Sequence, residues 1–397
     1  MFNEPLAQVC EPVRWKERDA TRLTNGVVEL ICLQGGGHLA SLRFLGDGRL
    51  SENVLWEAPW ETLDPVHSWS DELSQIYGPR EIGRFLASYT GHALCLDYFG
   101  EPSTESAAVG LSLHGEAAIT QWDVVQSTES EKVHCRWSAA FKTKQLAFDR
   151  EIYLNEGESV AYVQETVHNE RDVEHRCDWV QHVTFGPPFL CEGESTLEAS
   201  VLGGVTWPSS YEGKSLLADG QQFMWPLALR EGVNEYADLR KPFSIKGRSF
   251  LAGMQLDPVR ENEFVLAINW KSRLGVGYCF RLRDFPWMTI WEENHTRKNS
   301  PWNGRVAARG MEFGTTPLPY GESSLSQQRH VFDSLTNCVI PALGKKTAKY
   351  LIFLFELPSN VQSIHDVATV GNAILLYDEH CNPALSLPAH GCEAFLA

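Results

Sequence analysis

Several absences narrow the class of this protein before any motif is read. Its ten cysteines include no Cys-x-x-Cys pair; they stand singly, with Cys32, Cys95, Cys177 and Cys279 inside apolar strand-like segments. That usage excludes a disulfide framework and fits cysteine as a small core hydrophobe. No His-x-x-x-His and no paired Cys or His at zinc spacing occurs, so no metal is expected. A serine nucleophile is equally unsupported, because no Gly-x-Ser-x-Gly turn is present. Basic clusters are missing as well: 34 Lys and Arg stand against 51 Asp and Glu, a net charge of −17. Such a surface repels phosphate backbones and anionic lipid, which excludes nucleic acid and membrane surfaces as partners. The longest apolar run, Tyr350 to Phe355, falls far short of the roughly 20 residues that span a bilayer. Met1–Pro5 has neither the basic nor the apolar region of a secretory signal. The expected compartment is the cytoplasm, where the sequon Asn294-His295-Thr296 has no meaning.

Repeats, low-complexity tracts and linkers are also lacking, so the chain is expected to form one domain over residues 1–397, the first 15–20 serving as a leader. Helical periodicity is sparse: Asp64 to Tyr77 and Ser103 to Ala108 are the candidates. What is present reads as strand, in short runs of Val, Ile, Thr, Tyr, Phe and Trp bounded by Gly, Asn, Asp and Pro. Such runs include Val27–Leu33, His38–Leu45, Ala93–Tyr98, Ala117–Val125, Lys132–Phe141, Leu146–Leu154, Glu174–Phe185, Trp287–Glu292, Ala308–Phe313, Gln328–Asp333 and Tyr350–Leu357. Some fifteen strands without intervening helices predict an all-β protein built as a large antiparallel sandwich with few short helices. Gly35-Gly36-Gly37 lacks the spacing and following helix of a dinucleotide fingerprint and reads as a turn or bulge.

Aromatics are abundant, with 13 Trp, 19 Phe and 11 Tyr. Indole serves equally to fill a core and to stack on sugar rings. Three segments combine polar chemistry with such surroundings. Along Glu174–Phe185, alternation places Cys177, Trp179, Val183 and Phe185 on an apolar face, and Arg176, Asp178, His182 and Thr184 on the other. That second face is either solvated or one wall of a site. In Arg309–Gly314, Glu312 shares its face with Gly310 and Gly314, which leaves open volume beside a carboxylate; upstream, Trp291 and Glu292 supply an aromatic and a reserve acid. His114-Gly115 is a loop pair able to aim an imidazole at a ligand, and Arg80 and Arg84 offer guanidiniums that bind either a polyol or a surface acid.

The order Asn25–Leu30, His114-Gly115, His182 before Phe185-Gly186, and late Glu312, together with Gly83–Ser88 and Cys95–Gly100, resembles the aldose 1-epimerases, the galactose mutarotase-like proteins of β-supersandwich fold. The resemblance is to a divergent bacterial type and runs from about residue 20 to 390. It implies an isomerase of carbohydrate metabolism that interconverts the α and β anomers of an aldose by acid–base ring opening, with no cofactor. By motif match Glu312 is the base, His182 the acid and His114 the residue that holds the sugar; Arg84, Asp178, Trp291 and Glu292 are the expected substrate contacts. The chain has Ile82-Gly83-Arg84 where well-known members have an Asn-Arg pair, and Val180-Gln181-His182 where they have Thr-Asn-His. Two other readings stand beside this one: a non-catalytic carbohydrate-binding protein, and a glycoside hydrolase or lyase using Glu292 with Glu312 as paired carboxylates.

Overall fold

The computed structural model describes residues 9–46, 50–65, 68–129, 132–209, 214–325, 330–332 and 334–397. Met1–Pro5 and half of the expected strand Gln328–Asp333 lie outside them. Among the described residues two large antiparallel sheets dominate, of 14 and 8 strands. At the centre of the larger one run His92–Asp97, His175–Phe185, Ala307–Gly314, Trp287–Asn294 and Phe250–Leu256, neighbours in that order. The second sheet is built around Leu274–Arg281, Lys345–Glu356, Val160–Asn169 and Leu146–Asn155. One continuous apolar cluster joins the facing sides of the two sheets, including Trp137, Phe148, Trp179, Phe185, Phe280, Phe313 and Tyr350. A small three-stranded sheet, Asp366–Val370, Ala373–Tyr377 and Pro383–Pro388, covers the far side of the second sheet over Tyr162, Leu266, Phe353 and Phe355. No helix among the described residues is long and apolar enough to cross a membrane.

Strand alternation accounts for these layers. In His175–Phe185, Cys177, Trp179, Val183 and Phe185 all enter the inter-sheet core, as their spacing requires. Gln181 falls on the same side, and its amide donates to Glu165 Oε2 at 2.5 Å. Glu165 in turn accepts from Arg150 Nε at 2.7 Å and from the Tyr350 hydroxyl at 3.0 Å, while His92 Nε2 pairs with Gln181 Oε1 at 2.9 Å. This buried network ties the second sheet to the strand that carries His182 on its opposite face. A one-residue slip would turn His182 into the inter-sheet core and Gln181 out of it, so the network fixes the register of the site-bearing strand.

Within the segment expected as a leader, Val9–Trp15 pairs along its whole length with Arg18–Thr24 as an edge strand of the larger sheet. Two expectations about single elements are corrected. Ala117–Val125 is not one strand, because Ala117–Ile119 forms a 3₁₀ turn and the strand begins at Asp123. The first helical candidate is confined to Asp71–Tyr77, where the Ser70 side chain caps it by accepting from the Leu73 amide at 3.2 Å.

A candidate active site on the outer face of the larger sheet

The outer face of the central strands floors a cavity of about 430 Å³, within the range of small-molecule sites. His114, His182, Trp291 and Glu312 all line it. His182 and Glu312 come from adjacent strands, and Thr289 and Glu312 are register partners, which puts Trp291 on the same face two residues further along. His182 Nε2 lies 3.3 Å from Glu312 Oε1. Both groups are almost wholly buried, with side chains 8 % and 1 % exposed. Burial drives them in opposite directions: the His182 pKa is pushed down to about 3, and the Glu312 carboxyl is pushed well above its ordinary value. Burial therefore favours the neutral form of each. Glu312 Oε2 is buried with no hydrogen-bond partner among the described residues, an acceptor left over for a ligand.

Gly310 is what makes room for that carboxylate, since a Cβ at this position would lie 2.3 Å from Glu312 Oε1. His114 is set by a left-handed turn, with φ of 66° at His114 and 91° at Gly115. A Cβ on Gly115 would lie 1.9 Å from the Leu96 carbonyl oxygen, so only glycine fits there. The Gly100 amide donates to His114 Nδ1 at 3.1 Å. With Nδ1 an acceptor and its pKa held well below the ordinary value by burial and then by His182, the ring is neutral and carries its proton on Nε2. Phe85 and Phe99 hold it from two sides, at centroid distances of 4.8 and 4.9 Å.

The other expected contacts lie elsewhere. Arg84 borders a separate cleft, where its guanidinium donates to the Gly110 carbonyl oxygen; the segment is helical over Arg80–Ser88, and the helix aims Phe85 and Leu86 rather than Arg84 at the cavity. Asp178 is buried and accepts from the Phe99 amide at 3.1 Å, so it supports a wall residue instead of lining the cavity. Glu292 points to the opposite face from Trp291 and is sequestered by Arg309, whose Nε donates to Glu292 Oε2 at 3.0 Å. Alternation along one strand explains the loss: neighbours cannot share a face.

The lining residues that the sequence did not single out include Tyr89, Trp207, Arg297 and Trp302. Arg297 lies over the Trp302 ring at 4.5 Å, with its Nε 3.8 Å from Glu293. Tyr89 follows directly on the helix, and its hydroxyl is 3.2 Å from His182 Nδ1. A signal for it existed, because Ile82, Phe85, Leu86 and Tyr89 stand at i, i+3, i+4 and i+7. Among the described residues, no group of three or more His, Cys, Asp or Glu is placed to hold a metal ion.

No protein-family model and no curated protein matches the chain. Solved structures do. A "putative aldose 1-epimerase" from Klebsiella pneumoniae superposes with a TM-score of 0.62 at 15% identity, covering 86% of this chain and 80% of that one. A galactose mutarotase-like protein from Clostridium acetobutylicum gives 0.58 at 12% identity, over 88% and 99% of the two chains. A "putative aldose 1-epimerase" from Escherichia coli K12 gives 0.54 at 11%, over 85% and 99%. At these identities the likeness is one of architecture: the chain has the galactose mutarotase-like β-sandwich fold.

Proposed function

We propose that this protein is an aldose 1-epimerase, an isomerase that interconverts the anomers of a sugar. The observation that carries the reading is the 3.3 Å approach of His182 Nε2 to Glu312 Oε1 on the floor of an aromatic cavity. Anomer exchange removes a proton from the C1 hydroxyl and delivers one to the ring oxygen. Both oxygens are bonded to the same carbon, so the base and the acid must be close neighbours, as these two groups are. Glu312 as carboxylate takes the hydroxyl proton while His182 as imidazolium protonates the ring oxygen, and the C1–O5 bond breaks to give the open-chain aldehyde. The pair then stands as carboxylic acid and neutral imidazole, the forms that burial favours. Rotation about C1–C2 and reversal of both transfers close the other anomer. His114, presenting Nε2–H, holds the sugar and steadies charge near the ring oxygen, and Trp291 offers a stacking surface.

These steps transfer protons and break and re-form the C1–O5 bond with no change of oxidation state, and call for no cofactor. The paired-carboxylate reading loses support, because Glu292 is bound to Arg309 away from the cavity. The test is to follow freshly dissolved α-anomers of a panel of aldoses by polarimetry or NMR. Acceleration of at least one sugar is expected; saturable binding without acceleration assigns the cavity to a binding protein instead.

A further inference from the structure

We infer that Tyr89 is a positioning residue for His182, holding the proton on Nδ1 so that Nε2 alone exchanges protons with the substrate; this rests on the epimerase reading. Nε2 is the nitrogen that faces Glu312, at 3.3 Å. For one ring nitrogen to give and retake a proton, the other must keep its own throughout the cycle, and a kept proton needs an acceptor. Beside a hydrogen bond of the ring to the residue's own backbone, the Tyr89 and Thr184 hydroxyl oxygens each lie 3.2 Å from Nδ1. These two oxygens are 2.5 Å apart. Either hydroxyl can donate to the other; with Tyr89 donating to Thr184 Oγ1, the lone pairs of its oxygen are left for Nδ1–H.

The choice of partner matters chemically. In a Ser-His-Asp triad the carboxylate behind the histidine stabilises the imidazolium. Here two neutral hydroxyls do the orienting, so the ring is aligned without being made less acidic. A sugar ring oxygen is a weak base, and an imidazolium without a carboxylate behind it is the stronger acid to protonate it. The fold supplies the contact in a defined way: Tyr89 is stacked on Phe85 at 4.8 Å and packed on Trp56 at 5.2 Å, and a phenylalanine would keep both contacts.

The experiment is Tyr89→Phe, with Thr184→Val as the second variant, read by anomerisation kinetics and by ¹⁵N NMR of the His182 ring. The expected result is kcat lower by roughly three- to tenfold with KM within twofold of wild type, as for loss of one orienting hydrogen bond. Wild type is expected to show a protonated Nδ1, and Tyr89→Phe a mixed pattern. Unchanged kcat and an unchanged Nδ1–H overturn the inference, and so does a bare Nδ1 in wild type. If wild type accelerates no sugar, the epimerase reading fails on that result, and the ring spectra of wild type and the two variants still decide the role of Tyr89. Should Tyr89→Phe not fold, Thr184→Val gives the same two readouts.

Discussion

Gly310→Ala separates the stability of the sheet from the geometry of the site. The new Cβ would sit 2.3 Å from Glu312 Oε1, and contacts of this kind do not close below 3.0 Å, so the carboxylate must move by at least 0.7 Å. That atom is the end of a flexible side chain, so moving it costs the fold little. Replacing glycine also restricts the unfolded chain, a gain of about 0.4–1 kcal/mol that offsets the adjustment. The displaced oxygen, however, is the one that meets His182 at 3.3 Å. A misplacement approaching 1 Å in a catalytic pair lowers turnover by roughly 100-fold. The assay is NMR exchange between anomers together with urea unfolding of the same samples. Gly314→Ala is the control: its Cβ would meet the Trp179 carbonyl oxygen at 2.7 Å, rigid backbone that cannot yield, so stability falls instead. Wild-type turnover in a stable Gly310→Ala protein would refute the reasoning, as would a loss of stability equal to that of Gly314→Ala.

Further outcomes follow from the same geometry. Because burial raises the Glu312 pKa in the folded state, its contribution to stability is complete below the ordinary carboxylate range and is lost as pH rises through the raised value. Glu312→Gln is therefore expected to be more stable than wild type at neutral and alkaline pH, with the gap vanishing in acid, as read by urea unfolding across a pH series. Arg84→Ala should leave KM unchanged, whereas Arg297→Ala, which removes a guanidinium from the cavity, should raise it by about ten- to 100-fold; steady-state kinetics distinguish the two. Arg309→Met leaves the Glu292 carboxylate buried without its ion-pair partner and should cost about 3–5 kcal/mol in urea unfolding, with no effect on sugar KM in the protein that remains folded.

The fold was legible because a strand writes its partner faces into alternate residues. Lys132–Phe141 matches the expected bounds, and Cys177, Trp179, Val183 and Phe185 enter the core as their spacing requires. Short strands near one end of the larger sheet, such as Leu227–Leu229 and Tyr236–Asp238, are too brief to show a period and went unread. Within the site, His182 and Glu312 could be singled out because each stands on a strand with an interpretable face. Arg84 misled because a helix rotates neighbouring residues by about 100°, so the helical pattern that turns Phe85 inward turns Arg84 aside. Arg297 and Trp302 lie beyond the end of a strand, in segments whose path is set by tertiary contacts and not by local pattern. The tryptophans divide between both uses: Trp122, Trp137, Trp179 and Trp287 fill the interior, and Trp207, Trp291 and Trp302 wall the cavity.

The most direct measurement is the rate of α to β exchange for an accelerated aldose with wild type and with Glu312→Gln. Gln keeps the shape of the side chain and removes the base, so the exchange rate should fall by roughly 10²- to 10⁴-fold while the protein still binds the sugar. Exchange at the wild-type rate with Glu312→Gln would contradict the assignment of Glu312 as the catalytic base.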